Sequence, residues 1–398
     1  MKSIKDKIFS IKDDRIKFKK ILTICGIKLK FNSYKLRYEF AVQKNKDFLK
    51  YFDFLNVNVR ENSVLMIEPN DCHGEVLSGI AKYFLDLGYN VDVLISKELF
   101  NGGIFERMND ANIRIFETSV QVLNSILKNK SQMQKYKFLY FNSDIVYSQN
   151  FLPIEKVFKD IENKNIIRMN HRLECKNDKN SKCRNVVLDK FDIVKEFPMV
   201  NAHYFGDIGI TNKNDITNFI VVGNIDKKRK NFKLLKDSIS YLLKRDVKNF
   251  KITVISRSDK LELPKKYFKY IDFKKGLKYN QMYEEMENAD FFLTLLDGEN
   301  PEHERYLTCG TSGSFQLIYG FDKPCLINKK FADKYRFNKD NSIIYDSNQD
   351  LGKSMKQAIL LNNDDYTKMQ ENLNTVANDL YNESLHNLKD VLTALSIC

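Results

Sequence analysis

The run Thr308-Cys309-Gly310-Thr311-Ser312-Gly313-Ser314-Phe315-Gln316-Leu317 sets small, hydroxyl-bearing residues ahead of an apolar stretch that ends near Gly320. At a helix start such residues leave backbone N–H groups open, add hydroxyls, and lie at the positive end of the helix dipole. That is the chemistry of an anion cradle, above all for phosphate, so Thr311, Ser312, Gly313 and Ser314 are candidate binding residues. Gly223-Asn224 closes an apolar run and is followed by Lys227, Lys228, Arg229 and Lys230. A glycine there lets a phosphate approach the backbone, and a cation beside it would offset charge on a departing diphosphate. Arg229 and Lys230 are the candidates for that cation. Arg257 follows the next apolar run, and Gly276-Leu277-Lys278-Tyr279 is placed to give backbone contacts to a base.

Proton-transfer candidates lie elsewhere. Among the chain's five histidines, His73 and His171 each follow a strand-like run, and His203 falls in an aperiodic stretch. A histidine at a strand end can serve as general base toward a hydroxyl or as a sugar ligand, although a lone histidine is more often structural. Asp71, Gly74 and Glu75 surround His73. The polar loop 297–306 offers Glu302, His303 and Glu304 for sugar hydroxyls, Glu302 being the catalytic candidate. No Asp-x-Asp occurs, so no metal–diphosphate clamp and no metal site is expected. Neither Gly-x-x-x-x-Gly-Lys-Ser/Thr nor a Gly-x-Gly-x-x-Gly after either first strand is present, which argues against ATPase and dehydrogenase readings.

These residues need strand ends to hold them. Val64–Glu68, Val91–Ile95, Ile113–Phe116, Phe138–Phe141 and Ile166–Met169 read as buried strands, and the 76–85 periodicity reads as a helix ending at Gly88. A second series starts at Phe219–Gly223. It continues with the helix Phe232–Leu243, strands Ile252–Ile255, Tyr270–Phe273, Phe291–Leu296, Cys325–Ile327 and Ile343–Ile344, and a mostly polar helical tail over 366–395. The segment 201–217 reads as the linker. Parallel strands with right-handed crossovers predict an α/β protein of two doubly wound, Rossmann-like domains facing a cleft. The boundaries are an N-terminal extension over 1–60, domains over 61–205 and 206–365, and the tail over 366–398.

Charge is concentrated at one end. Residues 1–50 carry 15 Lys and Arg against 5 Asp and Glu, so +10 of the net +13 sits there. Residues 1–20 read as a short amphipathic helix, Ile21–Phe31 as two strands hinged at Gly26, and 35–56 as helical. A basic, apolar-interleaved arm over 1–31 suits an anionic membrane surface better than nucleic acid, the plain alternative being a solvated basic extension that packs one apolar edge on the body. No run reaches the length of a membrane span and no signal peptide is visible. Seven scattered cysteines form no disulfide pattern, and Cys175 and Cys183 lack the further ligands of a zinc set. A cytoplasmic protein, peripheral on the inner face of the membrane, is expected.

At this point the chain resembles the GT-B glycosyltransferases, in particular bacterial enzymes that build capsule, lipooligosaccharide or other surface glycans. The resemblance covers about residues 60–395. It rests on Val221-Val222-Gly223-Asn224 with Arg229-Lys230-Asn231, on the run Tyr283 to Phe292, and on Thr311-Ser312-Gly313-Ser314 with Lys323-Pro324. The segment Lys7–Phe31 also looks like a leader seen ahead of surface-glycan transferases. The resemblance implies a nucleotide-sugar donor, UDP-linked, held without metal and without a further cofactor. It implies an acceptor that is a glycan or lipid-linked glycan, with His171 facing the sugar. One departure is plain: Gln316 stands where many retaining members carry a second Glu. Rival readings are an epimerase or pyruvyl transferase on the same architecture, or a non-catalytic binding subunit.

Overall fold

The computed structural model describes residues 9–14, 19–24, 27–68, 70–143, 165–171, 184–226, 228–258, 261 and 263–397. Three antiparallel strands come first: β1 (Phe9–Asp14), β2 (Lys19–Ile24) and β3 (Ile27–Asn32), in the order β1-β2-β3. The expected N-terminal helix is therefore a strand where it is described. Its apolar residues Ile11 and Leu22 pair across β1 and β2, and Leu22 pairs with Leu29. Alternation satisfied by neighbouring strands outweighs a short helical periodicity. Helix α1 (Tyr34–Leu55) follows, with Ser33 as N-cap accepting the N–H of Leu36 at 3.3 Å.

The first large sheet holds β4 (Ser63–Glu68), β5 (Asn90–Ser96), β6 (Ile113–Thr118), β7 (Phe138–Phe141), β8 (Ile166–Asn170) and β9 (Arg184–Val187), all parallel. The second holds β10 (Thr217–Val222), β11 (Phe250–Ser256), β12 (Ile271–Lys275), β13 (Phe291–Leu293), β14 (Cys325–Asn328) and β15 (Ser342–Tyr345), again all parallel. The orders β6-β5-β4-β7-β8-β9 and β12-β11-β10-β13-β14-β15 are the same 3-2-1-4-5-6 winding twice. Continuous apolar runs such as Val64-Leu65-Met66-Ile67 are buried on both faces, as parallel strands under helices must be. β9 escapes the sequence pattern because only Val186 and Val187 of its four residues are buried. β13 is half its expected length: Leu295 takes φ 50° and turns the chain out of the sheet at the cleft.

The connecting helices include α2 (Leu77–Asp86), α3 (Phe232–Leu243), α4 (Tyr279–Glu287), α5 (Gly313–Gly320) and α6 (Leu351–Leu360). The last helix, α7 (Asn363–Ile397), is no free polar tail. Its Leu373, Ala377 and Leu380 enter the core of the second domain, and Leu388, Val391, Leu392 and Leu395 enter the first. One helix thus staples both domains. Between them, the stretch 201–205, buried except for the half-buried Tyr204, packs against glycines from each side. A β-carbon on Gly79 of α2 would stand 2.9 Å from the Ala202 backbone, and one on Gly320 of α5 would run into the His203 carbonyl. His203, expected as a weak site candidate, is spent here: its ring bonds Asn201 and the Ala377 carbonyl at 3.0–3.1 Å.

Candidate functional site

Both sheets point their carboxyl ends at one cleft of about 600 Å³, where ligands bind in doubly wound folds. The second domain supplies the cradle. Ser312 caps α5 and accepts the Ser314 N–H at 3.4 Å, so the first turn is set with its N–H groups toward the cleft. Gly223, at φ 130°, ends β10 in a conformation that favours glycine, and a β-carbon there would stand 3.0 Å from the Lys230 side chain. Lys230 is 4 % exposed; its Nζ donates to Ser314 Oγ at 3.0 Å and to the Thr294 carbonyl at 3.1 Å. Burial lowers its pKa to about 7. A cation taken out of water and given only neutral partners is poised to accept an anion.

The opposite wall brings a carboxylate to this helix start. Gly74–Val76 of the first domain packs across the cleft, and the Glu75 Oε1 lies 2.9 Å from where a β-carbon of Gly313 would be. The Glu75 carboxylate thus lies beside the first turn of α5.

His73 and His171 face this cleft from the ends of β4 and β8. Their rings lie 4.0 Å apart, tilted 46°. His171 Nε2–H donates to the Asn142 carbonyl at 2.5 Å. Burial lowers the pKa of both rings. For His171, proximity to His73 adds to the effect; for His73, Glu75 opposes it and Arg229 reinforces it. Both are neutral imidazoles near neutral pH, the form a general base requires. Behind them sits a network that sequence reasoning missed: Glu68, Asn142 and Ser143, all buried. Their signal was position, polar residues directly ending β4 or following β7.

Most sequence candidates converge. Gly223, Asn224, Arg229, Lys230, Arg257, Thr311, Ser312, Gly313, Ser314, His73 and His171 all line the cleft, as do Gly276, Leu277 and Tyr279. Glu302 does not: it is exposed in the turn Pro301–His303, away from the lining. His303 beside it is buried and accepts the Asp297 N–H at 2.9 Å, and Glu304 pairs with Lys330. Gln316 also lines the cleft; it is fully buried, with both amide atoms unpartnered among the described residues. The loop holding Cys175 and Cys183 lies outside the described residues, as does Lys227.

A second chamber of about 650 Å³ adjoins the cleft and shares Cys72 and Arg257 with it. Ser96, Lys97, Glu117 and Ser119 at the ends of β5 and β6 form one wall, and Gln43 and Lys50 of α1 another. The first helix of the chain thus contributes to the site. Arg107 joins the two domains elsewhere, bidentate to Glu287 at 2.6 and 3.0 Å.

Two Rossmann-like domains facing a cleft, with the last helix returning to the first, constitute the GT-B architecture. The chain matches no family model and no curated protein in sequence. Solved structures resemble it in overall shape. An E. coli trehalose-6-phosphate structure bound with UDP-2-fluoro glucose aligns with a TM-score of 0.49 at 9% identity, over 83% of this chain and 99% of that one. Anabaena HepE in complex with UDP gives 0.47 at 11%, over 84% and 100%. A putative UDP-N-acetylglucosamine 2-epimerase from Listeria monocytogenes gives 0.48 at 9%, over 78% and 91%. The functional reading rests on the residues of this cleft.

Proposed function

We propose that the protein is a glycosyltransferase that moves a hexosyl group from a nucleotide-sugar, UDP-linked, to a glycan or lipid-linked glycan of a bacterial surface polymer. The observation that carries it is the pairing of an anion cradle, Lys230 against the first turn of α5, with two neutral histidines across the same cleft. A departing diphosphate needs charge stabilisation, and Lys230, Arg229 and Arg257 supply cations for it without a metal or further cofactor. Gln316 offers a buried donor and acceptor to a hydroxyl-bearing part of the donor. His73 or His171 would take the proton of the incoming hydroxyl. On this reading residues 61–205 form the acceptor domain and 206–365 the donor domain. The side chamber, mixed in charge and rich in hydroxyl and amide groups, would seat the sugar part of the acceptor.

Residues 1–31 would hold the enzyme on the inner face of the plasma membrane, giving it access to a lipid-linked acceptor. The support is the described part of the meander. Ile11, Leu22, Ile24, Ile27, Leu29 and Phe31 share one face by register, while Lys12, Lys19, Lys28 and Lys30 share the other. No helix among the described residues is long and apolar enough to cross a membrane.

The deciding experiment is a thermal-shift panel of UDP, GDP, CMP and ADP on the wild type and on Ser312→Ala/Ser314→Ala. A ligand at 100 times its Kd stabilises by roughly 2.7 kcal/mol. Stabilisation by UDP that the double variant loses supports the reading; no response to any nucleotide overturns it.

A further inference from the structure

Behind His73 lies a chain of hydrogen bonds whose direction can be read. Glu68 ends β4 and Ser143 follows β7, the neighbouring strands where the first sheet reverses its order. Glu68 is fully buried. Its Oε1 accepts the Asn70 N–H at 2.8 Å, and its Oε2 accepts Asn142 Nδ2–H and the Ser143 hydroxyl, each at 2.7 Å. Burial raises the carboxyl to about 7, while these donors and the Asn70 side chain oppose the rise; several donors on one carboxyl favour its ionised form.

A serine hydroxyl has one proton. Directed at Glu68, it leaves only lone pairs toward His73, whose Nδ1 lies 3.2 Å from Ser143 Oγ. Nδ1 must then carry the hydrogen, and a neutral imidazole has only one. Among the described residues, the charged and titratable groups shown to act on His73 are Glu75, Arg229 and His171. His171 carries its own proton on Nε2, committed to the Asn142 carbonyl.

We propose that Glu68 and Ser143 form a hydroxyl-relayed pair that holds His73 as the Nδ1–H tautomer, making Nε2 its basic atom. Both are positioning residues and act through His73. On the transferase reading, on which this step rests, the acceptor O–H proton passes to Nε2. The acceptor oxygen bonds to the anomeric carbon of the donor. The bond from that carbon to the phosphate oxygen breaks, and its electron pair leaves with the diphosphate at α5.

The test needs no substrate. Long-range ¹H–¹⁵N spectra of the full-length, ¹⁵N-histidine-labelled protein at mildly alkaline pH report which ring nitrogen of His73 is protonated, and His73→Phe assigns the signal. The wild type is expected to show Nδ1–H. Ser143→Ala should release the ring to the Nε2–H form that free imidazole prefers, and Ser143→Thr should restore Nδ1–H. In Glu68→Gln the amide carbonyl stays on the Asn70 N–H and the NH₂ donates to Ser143. The serine proton then turns to His73 and the tautomer inverts to Nε2–H. A merely structural role for Ser143 and Glu68 would leave the tautomer unchanged in variants that keep the wild-type circular dichroism spectrum. An Nε2–H wild type, or Nδ1–H retained in both Ser143→Ala and Glu68→Gln, overturns the proposal. The nucleotide panel separately reads whether the transferase assignment stands.

Discussion

Lys230 Nζ stands 3.0 Å from Ser314 Oγ, so a buried ammonium is seated on the first turn of α5 with no carboxylate paired to it among the described residues. The sign of its pH dependence follows. Its pKa falls from an ordinary value of about 10.4 to about 7 in the fold. Between those values the unfolded chain holds the proton and the folded one does not. The contribution of Lys230 to stability therefore rises with pH across that window and is lowest below pH 7. A diphosphate reverses the shift, so binding takes up a proton. UDP affinity should weaken by about tenfold between pH 7 and 8.5, and Lys230→Met should weaken it at pH 7 and flatten the profile. Calorimetry in buffers of different ionisation enthalpy measures both the affinity and the proton uptake.

The Glu75 carboxylate lies 2.9 Å from the Gly313 β-position, beside the proposed diphosphate site. Glu75→Gln removes a negative charge that a diphosphate must displace. UDP should bind about threefold to tenfold more tightly, a gain of ~0.7–1.4 kcal/mol, as read by titration calorimetry. Unchanged or weaker affinity would instead mark Glu75 as a donor ligand.

Gly320 ends α5 against the interdomain segment. A β-carbon there would meet the His203 carbonyl and the Phe205 ring, backbone and aromatic core that cannot swing aside. Gly320→Ala should cost about 1–3 kcal/mol and lower Tm by several degrees in scanning calorimetry. Gly88→Ala provides the contrast: its φ of 81° carries conformational strain, but no atom lies within 4 Å of the new carbon.

The apolar face of the meander offers a membrane test. Leu29 and Phe31 are 44 % and 52 % exposed on the same face. Leu29→Asp/Phe31→Asp should abolish co-sedimentation with vesicles containing anionic lipid, while UDP binding stays intact. Raising salt should weaken the wild-type interaction, since basic residues near such a surface contribute about 1 kcal/mol each.

Much of the architecture was readable because parallel strands are buried on both faces. Val64-Leu65-Met66-Ile67 and Phe219-Ile220-Val221-Val222 admit few other structures, and Ser312-Gly313-Ser314 carries a helix start in its own chemistry. The elements that departed from expectation are those whose surroundings are set by another element rather than by their own periodicity. β1 is a strand because β2 lies beside it. The nominal tail α7 is a staple because two cores receive its apolar stripe.

Periodicity and caps are local, so the two wound sheets, the helix start at 312–314 and the histidines near strand ends were legible along the chain. Only the tertiary structure decided which polar residues share the cleft. It set Glu302 in an exposed turn, and it placed Glu75 on a helix 238 residues away along the chain, at Gly313. It joined Glu68, Ser143 and His73 into one hydrogen-bonded line. Such contacts depend on strand order and domain packing, and residue spacing along the chain carries neither.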